Sequence, residues 1–204
     1  MIDFLIVVVT LCLAVLALPY VASRGCKARS SRISCVNNLK QIGLAYRMWA
    51  NDHGERLPME VPFAEGGVRE FALAGEPAPL LRVISNELNN PKPLYCSEDK
   101  RGYRTNSFEG MSEMNLSYFI GIEATVSNPR ALLAGDRNLT LTNVPVTRGL
   151  VTVTDPKTLS WSSSIHKQVG NLGLADGSAH QATPALLQRH LNDSGLQPNR
   201  FAVP

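Results

Sequence analysis

The chain has 204 residues, 44% hydrophobic and 18% charged, with a formal net charge of +3. That length can bury a core, and that balance excludes wholesale disorder. The charge is unevenly placed: residues 1–50 carry six Lys/Arg against one acid, all six between Arg24 and Arg47, while residues 51–204 are slightly acidic.

The first element is apolar. Residues 4–21, "FLIVVVTLCLAVLALPYV", hold eighteen residues without a charge, about 27 Å of helix, close to the hydrocarbon thickness of a bilayer. A cleaved signal peptide prefers a basic n-region, and here "MID" supplies an acid. A buried soluble helix would show a polar face. Residues 1–22 are therefore expected to form a retained transmembrane half-helix, single-pass. The basic stripe directly after it suits lipid headgroups better than nucleic acid, and no nucleic-acid partner is expected. By the positive-inside rule that stripe would stay cytoplasmic.

The helix continues. Over residues 23–54, Cys35, Leu39, Ile42, Tyr46 and Trp49 recur at alternating spacings of four and three, one stripe of an amphipathic helix that packs on a globular head. Asn51–Gly54 supplies the stop, with Gly54 as the cap.

Residues 55–204 form the head. Residues 55–80 read as a Gly/Pro/Glu-rich loop and 79–90 as a helix closed by Asn90-Pro91. Strands are expected over 116–124, 130–137, 150–154, 170–176 and 179–183, divided by Asn-Pro, Asp-Pro and Asp-Gly steps into an antiparallel meander. Asp176-Gly177 marks a hairpin turn, and 184–193 a short closing helix that starts at Pro184. The fold class is α+β, a long N-terminal helix packed on a small antiparallel sheet.

Chemistry is sparse. His166, Asp176 and His180, with Asp136 from "AGDRN", offer the imidazole and carboxylate groups that calcium or another divalent metal would need. Strand alternation sends His166 and His180 to different faces, and no third ligand stands at fixed spacing. The reading taken is no metal and no cofactor, with Asp176-Gly177 as a turn and His166 bonded to a neighbouring loop. The serines of residues 160–166 lack a G-x-S-x-G context, so no catalytic residue, no enzyme and no small-molecule substrate are expected. The sequons at Asn115, Asn138 and Asn192 carry no weight outside a eukaryotic secretory setting. Cys12 is read as a small hydrophobe in the apolar run. Cys26, Cys35 and Cys96 leave several disulfide pairings open if the head is extracytoplasmic.

Residues 32–58, "RISCVNNLKQIGLAYRMWANDHGERLP", resemble bacterial type IV pilin-like and type II secretion pseudopilin-like proteins, in the prepilin-type group that carries a C-terminal His, nine residues, then Asp-Gly. Here that motif is His166 to Asp176-Gly177, with Asn171 also matching. "LYCSED", "LSYFIGIEA", "LLAGDRNLT" and "NRFAVP" fit the same group, in order, over most of residues 32–204. The resemblance implies a helix in the bacterial inner membrane, a periplasmic head and assembly with other pseudopilin subunits through the N-terminal helix, a topology that reverses the positive-inside reading. It also implies a disulfide between Cys35 and Cys96. At the front, the basic leader, the Gly-Phe cleavage site and the early glutamate of such proteins do not stand in "MIDFLIV". If Pro19 matches the family's late proline, Met1 falls a few residues inside the mature sequence, which bears on filament incorporation more than on the fold. A monomeric, membrane-tethered domain that binds a ligand or metal at the 166–176 hairpin is the second reading.

Overall fold

The computed structural model describes the backbone of residues 2–204 and the side chains of residues 4, 6–9 and 29–204. The chain is α+β, with one long helix followed by a head of antiparallel strands and short helices.

Helix α1 runs Ile2–Asp52, 51 residues or about 76 Å. Its stripe turns inward as the four/three spacing demands: Cys35, Leu39, Ile42, Tyr46 and Trp49 are all buried. The helix stops where Gly54 and Glu55 turn left-handed (φ 68° and 59°) and Glu55 N–H bonds back to Ala50 O at 2.9 Å. Among the described residues no helix is long and apolar enough to cross a membrane. The apolar run over 4–21, expected as a membrane span, lies outside the described side chains except at Phe4 and residues 6–9, which are exposed.

Between α1 and the sheet the chain is more broken than its composition suggests. The expected loop over 55–80 contains helix α2 (Arg69–Ala74), and the expected helix over 79–90 is two pieces, α3 (Pro77–Arg82) and α4 (Ser85–Leu88). Ile84 leaves helical geometry at ψ 21°, and Leu80, Leu81, Ile84 and Leu88 are all buried. An unbroken short helix would have to align those four side chains on one stripe.

The main sheet has six strands in the order β5-β9-β1-β2-β7-β8, every neighbouring pair antiparallel. They are β1 (Tyr118–Gly121), β2 (Leu132–Asp136), β5 (Gly149–Val153), β7 (Gly170–Leu174), β8 (Ala179–Ala182) and β9 (Asn199–Val203). A smaller sheet places β3 (Leu139–Leu141) between β4 (Val144–Pro145) and β6 (Leu159–Trp161). This corrects the expected meander. The C-terminal strand β9 inserts between β5 and β1, pairing Ala202 with both Leu150 and Ile120. The residues of β9, "NRFAV", do not alternate, so periodicity does not announce the strand, and β9 is defined by the two neighbours that satisfy its backbone.

Both faces of the sheet are covered at its centre, and β1, β2 and β7 are buried at every position, whereas the edge strands β5 and β8 alternate or stay partly exposed. On one face Tyr118, Ile120, Leu133 and Ala202 join the stripe of α1. On the other, Phe119, Leu172, Phe201 and Val203 pack with Trp161 of β6 and with Leu187 and Leu191 of helix α5 (Pro184–Asp193). The helix and the β7–β8 turn approach closely at Gly43, where a Cβ would stand 3.2 Å from the Cα of Gly177.

Candidate functional site

The residues of the His-x9-Asp-Gly motif do not gather at one point. They line the seam between α1 and the sheet. At one end, Leu174 and Ser178 close the β7–β8 turn, with Leu174 N–H donating to Ser178 O at 2.9 Å. Asp176 is exposed and its Oδ1 accepts from Ser178 N–H at 2.8 Å. Gly177 takes φ 85°, which only glycine adopts without strain. From α1, Arg47 Nη1 donates to Ala175 O at 3.2 Å. The Asp-Gly step is thus a turn, and it is the turn on which the helix rests.

His166 marks the other end, about two helical turns nearer the N-terminus of α1. It opens a run of three left-handed residues, His166, Lys167 and Gln168, at φ 56°, 54° and 63°. Such a run in non-glycine residues costs energy and persists where the surroundings over-determine it. Here Asn138 does so: its buried amide Nδ2 donates to Ser162 O, Ile165 O and Val169 O at 2.9, 2.8 and 3.1 Å. Arg32 of α1 reaches His166 O at 3.4 Å. The wound loop turns the imidazole inward, where its side chain is 1% exposed.

Inside, His166 Nε2 lies 3.4 Å from Cys96 Sγ and 3.6 Å from Asp136 Oδ2. Cys96 follows a 3-10 turn at Lys92–Leu94 and is joined to Cys35 of α1 by a disulfide, with Cα atoms 5.8 Å apart. Asp136 ends β2, fully buried, and its Oδ2 accepts both the backbone N–H and the side-chain Nδ2 of Asn171 at 2.8 Å. Among the described residues Asp136 Oδ1 has no hydrogen-bond partner. One constellation therefore binds helix, loop and two strands: Cys35 from α1, Cys96, Asp136 from β2, Asn171 from β7 and His166.

Its electrostatics follow from burial. Desolvation pushes Asp136 up to about 7 even though the two Asn171 hydrogen bonds pull it down. Desolvation, and then the charge of Arg32, push His166 down to about 4. The imidazole is consequently uncharged at neutral pH. Near Asp136, burial pushes Asp99 upward, but the fork of Arg137, the N–H of Arg101 and the hydroxyl of Ser117 outweigh that and hold the carboxyl below its usual range.

The other candidates lie elsewhere. His180 of β8 meets His190 of α5, Nε2 to Nε2 at 2.8 Å, so His166, Asp176 and His180 do not converge, and of the four proposed ligands only His166 and Asp136 meet. Ser162 and Ser164 bond each other at 2.8 Å. They line a surface cavity of about 410 Å³ with Arg101 and Arg137, while His166 faces away toward sulfur. Trp49 is buried in the seam and stacks on His53 at 3.5 Å between ring centroids.

Sequence reasoning missed Asn138 and the Asp99–Arg137 pair. The available signal was "GDRN", two charges and an amide at the end of a buried strand and just beyond it, a place where polar side chains need specific partners. No protein-family model, no curated protein and no solved structure matches this chain.

Proposed function

We propose that this chain is a structural, non-catalytic pseudopilin-like subunit with a pilin-like fold. The first half of α1 anchors it in the bacterial inner membrane, the head lies in the periplasm, and subunits assemble through the N-terminal helix into a pilus-like or type II secretion filament. The observation that carries the reading is the division of labour along α1. From Ser31 onward, regularly spaced residues are buried against the head, whereas Phe4 and residues 6–9, all apolar, are exposed on the same helix. Exposed apolar surface in that quantity calls for lipid or neighbouring helices. The Cys35–Cys96 disulfide accords with an oxidising compartment.

The test is membrane fractionation followed by crosslinking of the full chain in native membranes through the N-terminal third of α1. An integral-membrane protein that yields a ladder of crosslinked species supports the filament subunit. An integral-membrane protein that remains monomeric sinks assembly and leaves the tethered-domain reading, and a chain recovered in the soluble fraction sinks both.

A further inference from the structure

We propose that the dithiol form of the Cys35–Cys96 pair is a zinc site, with Cys35 Sγ, Cys96 Sγ and His166 Nε2 as ligands and the Asp136 carboxylate beside the imidazole. The three sulfur and nitrogen atoms lie within 4.8 Å of one another and all three residues are buried. Zinc bonds of about 2.3 Å to sulfur and 2.0–2.1 Å to nitrogen or oxygen give tetrahedral edges of about 3.6 Å for S···N and about 3.3 Å for N···O. The distances from His166 Nε2 are 3.4 Å to Cys96 Sγ and 3.6 Å to Asp136 Oδ2. One imidazole nitrogen thus already sits at ligand spacing from a sulfur, with a carboxylate oxygen next to it.

The surroundings suit such a site. Asn171 holds the Asp136 carboxylate beside the site through Oδ2, and among the described residues the buried Oδ1 has no hydrogen-bond partner. Asn138 and Arg32 hold the backbone that aims His166. Thiolate and imidazole donors select zinc over calcium, which takes six to eight oxygens. Disulfide and metal exclude each other, because zinc binds thiolates and the two sulfurs bonded to each other carry no negative charge. With a trialkylphosphine as reductant, the S–S bond breaks, the phosphine takes up the oxygen of one water to become its oxide, and both water protons end on the two thiols. Zinc then displaces those two protons to solvent as it binds both thiolates. The inference rests on this geometry and not on assembly into a filament.

The experiment uses the full chain in mild detergent with Cys12 and Cys26 changed to Ser, phosphine-reduced under argon and titrated with Co2+, then Zn2+. The expected result is one equivalent of Co2+ with thiolate-to-cobalt charge transfer and tetrahedral d–d bands, displaced by Zn2+ and absent from the oxidised protein. His166→Gln is expected to weaken binding at least about tenfold. Circular dichroism accompanies each titration: a reduced chain that unfolds and regains its signal with metal supports the site, and one that unfolds without recovery overturns it. A folded, reduced chain without the charge-transfer band, or undiminished affinity in His166→Gln, also overturns it.

Discussion

Replacing Asp136 by Asn in the oxidised protein should expose a pH dependence that the natural chain hides. Burial raises Asp136 to about 7 and lowers His166 to about 4, against ordinary values near 3.9 and 6.5. A carboxyl raised on folding contributes stability that is complete below its unfolded pKa and lost as pH rises through about 7. A histidine depressed on folding does the reverse: its contribution is complete above about 6.5 and lost as pH falls through about 4. Between those limits the folded state keeps one proton on Asp136 and the unfolded state keeps one on His166. Two slopes of about 1.4 kcal/mol per pH unit then oppose each other, and the pair leaves stability nearly flat.

Each single variant removes one slope. In Asp136→Asn the histidine acts alone, and stability should fall by about 2–3 kcal/mol from pH 6.5 to 4.5. In His166→Gln the carboxyl acts alone, and stability should rise by up to about 4 kcal/mol from pH 7 to 4. Urea unfolding followed by fluorescence of the buried Trp49 and Trp161, across that range, reads both. Expressing each profile as a difference from the natural chain cancels His190, which burial and then His180 push downward in all three proteins. Parallel difference profiles for the two variants, or a flat one for Asp136→Asn, would refute the reasoning that a proton passes from histidine to aspartate on folding.

Three further outcomes follow from the seam. Changing Cys35 and Cys96 together to Ala removes a crosslink across 61 residues, worth about 4 kcal/mol in the loop-entropy account, and the urea midpoint should drop accordingly. Gly43→Val places a branched side chain where even a Cβ stands 3.2 Å from Gly177 Cα. It should cost about 1–3 kcal/mol as overpacking, whereas Leu44→Val on the exposed face should stay within about 0.5 kcal/mol. Asn138→Ala leaves three backbone carbonyls without their shared donor. It should lower stability by about 1–3 kcal/mol and raise hydrogen exchange in residues 162–169 selectively, and uniform exchange would count against the loop-clamp role.

Much of the fold was legible because its causes are local. The four/three spacing of Cys35, Leu39, Ile42, Tyr46 and Trp49 is the direct imprint of a 3.6-residue period on a helix with one buried face. Helix α5 starts at Pro184 and runs to Asp193, as its proline and apolar spacing specify. Asp176-Gly177 makes a turn because its glycine tolerates the left-handed region. Strand β9 was not legible, since five residues of mixed polarity acquire their state from partners on both sides. The split of α3 from α4 escaped for the same kind of reason, as a core surface and not a local preference sets it.

The candidate site divides likewise. Sequence alone singles out His166, Asn171, Asp176 and Gly177 as a spaced set, and spacing along a chain says nothing about which members touch. Tertiary structure separates them along one helix: Gly177 beneath Gly43, and His166 beside the disulfide that ties Cys35 to Cys96. Asp136 meets His166 only because β2 and β7 pair and Asn138 winds the intervening loop left-handed. Local sequence determines what each segment is, through backbone sterics and the period of its apolar residues. Which titratable groups share one dry space, and hence their protonation, depends on contacts between segments far apart in the chain. Only the folded seam decides that.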